Sequence, residues 1–148
     1  MSYAELNCIS NFTFLKGASH AEELIIRASE LGLSAIAIAD TNTFAGIVRG
    51  HAAAQEVGLT YVVAVRLILR DGAEIVAYSK TRKGYGNLCR LLTLGKRRAA
   101  KGECNLDISD VLEWGGENLF VLIRKTEHAE VMKAAFGEDV FLGMTPFY

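Results

Sequence analysis

Proline is almost missing from this chain: Pro146 is the only one in 148 residues. A Pro-rich linker or extended recognition tract is therefore excluded. Cysteine is sparse as well. Cys8, Cys89 and Cys104 are odd in number, widely spread and without a CxxC pair, which argues against a disulfide frame or a zinc knuckle. Histidine occurs only as His20, His51 and His128, with no HxH or HxxxH spacing, so no histidine pair forms a metal motif. No apolar run reaches the roughly 20 residues that span a bilayer. The opening MSYAELNCIS lacks the basic start and long apolar stretch of a signal peptide. Net charge is only -1, which excludes general polyanion binding by the whole surface but permits a local basic patch. Together these absences lead us to expect a cytoplasmic domain without a membrane partner.

Apolar residues make up 51% and charged residues 22% of the chain, the balance of a globular domain with one core. Strand-like and helical segments alternate. ELNCI (5–9) reads as a short strand, followed by the loop SNFTFLKGA. Ser19 and Glu22 have the spacing of a capping box, with Leu24, Ile25, Ala28 and Leu31 at helical intervals and Gly32 as a stop. SAIAIAD (34–40) is a nearly continuous apolar run, as expected of a strand covered on both faces. Residues 41–58 read as a turn and a helix. LTYVVAVRLIL (59–69) and AEIVAYS (73–79) flank Asp71-Gly72 as a hairpin. A helix face follows at Tyr85, Leu88, Cys89 and Leu92, then a short helix opening on Asp107. A strand at 118–124, a helix at 126–137 and a strand at 139–144 complete the rhythm. The pattern predicts an α/β fold with mostly parallel strands.

Chemistry in such folds gathers at the carboxyl ends of strands. The ends that can be located here are residues 7–11, Asp40-Thr41-Asn42 and Arg66. A hydrolytic metal centre needs several His, Asp or Glu ligands converging, and of these types only Asp40 is present. Its simpler reading is a turn-forming or helix-capping aspartate. Cysteine catalysis lacks an activating base near any thiol. GYG (84–86) is no phosphate loop, because it follows a basic turn and not a buried strand.

The most unusual stretch is NLCRLLTLGKRRAAKGEC (87–104). From Lys80 to Lys101 the chain carries eight of its sixteen basic residues and no Asp or Glu. Arg90 and Arg97 lie seven apart, hence on one helix face, opposite Leu88 and Leu92. Arg90, Lys96, Arg97, Arg98 and Lys101 are candidate contacts to DNA phosphates or to an acidic partner, against a solvated face as the plain alternative. Tyr85 is the only aromatic residue within the segment.

Four strings, YAELNCISNFTFLKGASHAEEL, LGLSAIAIADTNTFAGIVR, KGYGNLCRLLTLGKRRAAKGEC and FGEDVFLGM, resemble the N-terminal PHP domain (polymerase and histidinol phosphatase domain) of bacterial C-family DNA polymerases. The likeness is to the error-prone relatives of the polymerase III alpha subunit. It implies an incomplete, distorted (βα) barrel, with residues 1–148 forming its first part and the rest of a polymerase following. Metal ligands of the family fall on Asn7, Ile9, Asp40, Thr41, Arg66 and Gly143. Of these only Asp40 keeps a ligand type, so the resemblance implies a degenerate metal site and no cofactor in these residues, while the parent polymerase would use magnesium.

The implied role is structural or docking, inside an enzyme for replication and damage-induced translesion synthesis, with DNA reached through the parent. The exposed edges of an incomplete sheet would suit a homodimer. A metal-dependent phosphoesterase or proofreading 3'-5' exonuclease stays open as an alternative, as does a nucleic-acid-binding module built on residues 80–101.

Overall fold

The computed structural model describes residues 3–116, 119–123 and 126–143, and falls into two compact units, residues 1–65 and 66–148. Strands and helices alternate through both, as the sequence pattern predicts.

In the first unit β1 (Ala4–Cys8), β2 (Ala35–Ile38) and the start of β3 (Thr60–Ile68) run parallel, in that order. They are joined by α1 (Ala21–Glu30) and α2 (Ile47–Val57). The apolar run around β2 is buried, which is why it lacks the alternation of a one-sided strand. Ile36 and Ile38 share a core with Ala21, Ile25 and Ala28 of α1 and Ala53 and Ala54 of α2. Small side chains line both helices where they pack, so their backbones approach closely. Both helices end as expected on glycines in the left-handed conformation, Gly32 and Gly58.

Two local expectations need correction. The capping box of α1 lies one residue later than the Ser19–Glu22 spacing suggests: Glu23 accepts from the His20 amide at 2.7 Å. Ser19 is held elsewhere, its carbonyl accepting from the Asn11 amide at 2.8 Å. Leu31, placed on the apolar face by spacing, is exposed beyond the last turn.

In the second unit the end of β3 turns back into β4 (Glu74–Ser79) through Asp71-Gly72, with Leu69 donating to the Ala73 carbonyl at 2.9 Å. Gly72 has the positive φ of such a turn. β4 pairs antiparallel with β5 (Leu119–Ile123), and β5 pairs parallel with β6 (Val140–Leu142). Between them lie α3 (Arg82–Arg97), α4 (Ile108–Trp114) and α5 (Ala129–Phe136).

The basic run belongs to α3 almost to its end. Gly84, Leu88, Leu91, Leu92 and Gly95 are buried, whereas Tyr85, expected on that apolar face, is exposed. α4 opens on a capping box in which Asp110 accepts from the Asp107 amide at 2.9 Å. The outer ends of the strands expected at 118–124 and 139–144, at residues 118, 124 and 144, lie outside the described residues.

A carboxylate held by hydroxyls beyond two parallel strands

Parallel register decides what meets at the strand ends of the first unit. Cys8 is opposite Ile38, and Ala39 donates to the Cys8 carbonyl at 2.7 Å. Two residues further along each strand, Ser10 therefore comes level with Asp40.

The Asp40 carboxylate is 3% exposed and is filled by the loop after β1. One oxygen accepts from the Ser10 amide at 2.7 Å and the Thr13 hydroxyl at 2.7 Å. The other accepts from the Ser10 hydroxyl at 2.6 Å. Ser10 and Thr13 are themselves buried. Each hydroxyl also accepts, Ser10 Oγ from the Phe12 amide and Thr13 Oγ1 from the Thr41 amide. Three charge-assisted bonds thus tie the loop after β1 to the residues after β2.

The loop folds tightly to reach that position. Thr13 and Gly17 close successive turns on the Ser10 and Thr13 carbonyls. A Cβ at Gly17 would lie 2.0 Å from the Ser10 carbonyl oxygen, a contact only glycine avoids. Close by in charge, burial and then the negative Asp40 push the Tyr61 phenol well above its ordinary value of 10. Its hydroxyl is buried without a hydrogen-bond partner.

Asp40 does not cap α2, whose N-cap is Gly46; its carboxylate instead binds the loop after β1. Asn7 and Ile9 are half-buried on and after β1, and Thr41 contributes its amide to Thr13. Arg66 lies in the second unit, where its guanidinium meets Glu74 across the hairpin at 2.8 Å. Gly143 follows β6.

Among the described residues no group of three or more His, Cys, Asp or Glu could hold a metal ion. The chemistry of the donor set agrees: hydroxyl and amide donors occupy both oxygens of Asp40, the one carboxylate at these positions. The residues present do not fit a catalytic metal cluster.

Ser10 and Thr13 are the functional neighbours that residue-type reasoning missed. The available signal was their place in SNFT directly after β1, aligned through the parallel register with an Asp directly after β2.

The basic segment divides into two groups. Arg98 donates through one nitrogen to both Asp110 oxygens, at 2.9 and 2.8 Å, so part of its guanidinium is engaged within the unit while the side chain stays partly exposed. Lys80 pairs with Asp139 at 2.7 Å. Arg90, Lys96, Arg97 and Lys101 are exposed. Arg90 lies 6.0 Å from the centroid of the Trp114 ring, the outer range of a cation–π contact. A groove of about 380 Å³ opens beside it, lined by Cys89, Thr93, Leu94, Arg97, Arg98 and Trp114.

With this geometry in hand, the relation to known proteins is direct. The PHP domain model matches residues 5–138. The chain belongs to the PHP domain family. It is 40% identical over 156 residues to error-prone DNA polymerase 1 of Rhizobium meliloti, covering 99% of this chain and 14% of that protein. Against the error-prone DNA polymerase of Ruegeria pomeroyi it is 40% identical over 194 residues, covering all of this chain and 17% of the other. The chain thus spans about one-seventh of the first relative's length, and the similarity falls in the N-terminal region of these polymerases.

Among solved structures, an amidohydrolase from Chromobacterium violaceum superposes with a TM-score of 0.55 at 21% identity, over 65% of this chain and 34% of that one. This likeness carries the fold: alternating strands and helices of the PHP and amidohydrolase kind. No helix among the described residues is long and apolar enough to cross a membrane.

Proposed function

We propose that this PHP domain acts as a non-hydrolytic structural element of an error-prone DNA polymerase, bracing the rest of the polymerase chain during damage-induced translesion synthesis in the cytoplasm. The polymerase relatives support the membership. The hydroxyl-bound Asp40 supports the loss of hydrolysis and is the observation that carries this reading. A metal centre works by placing cationic charge against carboxylates and water. Here Ser10 and Thr13 supply the positive ends of O–H and N–H dipoles instead, and among the described residues no group of three or more His, Cys, Asp or Glu gathers to hold a metal.

Magnesium belongs, in this reading, to nucleotidyl transfer elsewhere in the parent, and DNA reaches the domain through the parent. Phe141 and Leu142, exposed on β6, offer apolar edge surface that further polymerase chain, or a second copy in a homodimer, would cover.

The test is metal content. The purified chain, incubated with manganese or zinc and then desalted, is expected to retain close to no metal per chain. Stoichiometric retention, lost in Asp40→Ala, would overturn the reading and restore a phosphoesterase or proofreading role.

A further inference from the structure

The second unit carries a surface that the bracing role does not use. Lys83, Arg90 and Arg97 recur every seven residues along α3. Seven residues are within about 20° of two full turns, so the three cations form one stripe roughly 21 Å long, at about 1.5 Å per residue. Among the described residues no carboxylate pairs with any of them, in contrast to Lys80 and Arg98.

Helix stability does not account for the whole stripe. Arg97 suits the negative C-terminal end of α3, but Arg82 and Lys83 occupy its first turn, with no acidic residue there. Cations at that end oppose the helix dipole. Local structure thus leaves them unexplained, while a polyanion on the surface would account for all of them.

Beside the stripe stands the chain's single tryptophan. Trp114 of α4 borders the groove of about 380 Å³ together with Leu94, Thr93, Arg90, Arg97 and Arg98. The Arg90 guanidinium lies 6.0 Å from its ring centroid. A planar base sandwiched between ring and guanidinium needs about 7 Å, twice an optimal contact of roughly 3.5 Å. The exposed Arg90 side chain supplies the missing ~1 Å by a small swing, because its stem is long and flexible.

A flat aromatic platform next to a row of cations with which no carboxylate among the described residues pairs is the combination that binds single-stranded nucleic acid, bases on the ring and phosphates on the cations. An acidic protein segment would use the cations and leave the ring without a stacking partner.

We propose that the α3–α4 groove binds single-stranded DNA, with Trp114 and Arg90 holding a base and Lys83 and Arg97 contacting phosphates. The inference stands on the second unit alone, so the metal result above leaves it untouched.

The experiment uses the whole 148-residue chain and a fluorescein-labelled dT12 oligonucleotide at low salt. Binding is read by anisotropy, and stacking by quenching of Trp114 emission with unlabelled dT12. Saturable binding with quenching is expected, and log affinity should fall against log salt with a slope of about −1.4, about −0.7 for each of the two phosphates that Lys83 and Arg97 contact. An abasic oligonucleotide of equal length should bind about tenfold more weakly, the loss of roughly one stacked base. Arg90→Glu and Arg97→Glu should each weaken dT12 binding at least about tenfold, Trp114→Phe should retain most of it, and Lys16→Glu in the first unit should change nothing.

Far-UV circular dichroism of each variant separates lost binding from lost folding. Absence of binding at low salt would overturn the proposal. So would equal affinity for dT12 and the abasic strand, unchanged Trp114 emission at saturation, or binding of poly-glutamate as tight as that of dT12.

Discussion

Replacing Asp40 with alanine should destabilise the protein severely, and the size follows from what the substitution strands. The Ser10 amide, the Ser10 hydroxyl and the Thr13 hydroxyl all donate to this one carboxylate, in a site where all three residues are buried. A hydrogen bond to a charged acceptor contributes about 1.5–3 kcal/mol, and a buried donor left unpaired costs about 1–3 kcal/mol. The two hydroxyls can rotate in search of another acceptor, but the amide is fixed by the backbone. The expected loss is then about 3–5 kcal/mol.

Asp40→Asn should cost less, about 1–2 kcal/mol. Its remaining oxygen can keep the Ser10 amide and Thr13 hydroxyl, while its amide nitrogen faces Ser10 Oγ, which must turn from donor to acceptor. That oxygen already accepts from the Phe12 amide at 3.2 Å, so the rearrangement crowds it. Urea unfolding followed by far-UV circular dichroism measures the difference. With a slope of about 1–3 kcal/mol per molar urea, Asp40→Ala should move the midpoint down by about 1 M or more. A carboxylate kept for a metal would behave in the opposite way, because removing an uncompensated buried charge relieves the metal-free protein. An unchanged or raised midpoint for Asp40→Ala would refute the hydroxyl-held reading.

Gly17→Ala should lose at least about 3 kcal/mol, since its Cβ would lie 2.0 Å from the Ser10 carbonyl oxygen and 2.5 Å from the carbonyl carbon, both backbone atoms that cannot yield cheaply; a loss under about 1 kcal/mol in urea would contradict the close approach. Arg98→Ala should cost about 1–3 kcal/mol by leaving the buried Asp110 carboxylate without its cation, and because a single nitrogen makes both contacts, Arg98→Lys should recover most of it; equal losses in the two variants would refute the pairing. Burial first, and the nearby Glu5 charge second, raise the Cys8 thiol from 9.0 to about 11, a two-unit rise that leaves about one-hundredth of the usual thiolate. Iodoacetamide at pH 8 should therefore modify Cys8 about a hundredfold more slowly in the folded chain than in urea, with the folded rate climbing toward pH 11, and equal rates by peptide mass mapping would count against the burial.

Much of the architecture was legible in the residues because periodicity is a local property. The apolar run at 34–40 and the β-branched run at 59–69 could only be buried strands of this length, and β2 and β3 lie there. Asp71-Gly72 announced its hairpin through turn chemistry, and Gly32 and Gly58 marked helix ends through their freedom at positive φ. The side-chain types at Asn7, Ile9 and Thr41, none of them His, Cys, Asp or Glu, could also be read directly.

What the sequence could not reveal was pairing across space. The box at the start of α1 moved by one residue because the Ser19 carbonyl was claimed by Asn11, eight residues earlier. Arg98 reads like its neighbours in the basic run, yet a helix turn brings it against Asp110, twelve residues on. Trp114 gave no hint of belonging with Arg90 until α4 folded beside α3.

The family was thus determined by the sequence, because chemical type and spacing belong to each residue in turn. The role of Asp40 was decided only by the tertiary structure. Parallel register set Ser10 beside it from thirty residues away, and burial turned two hydroxyls and an amide into the partners that carboxylate requires.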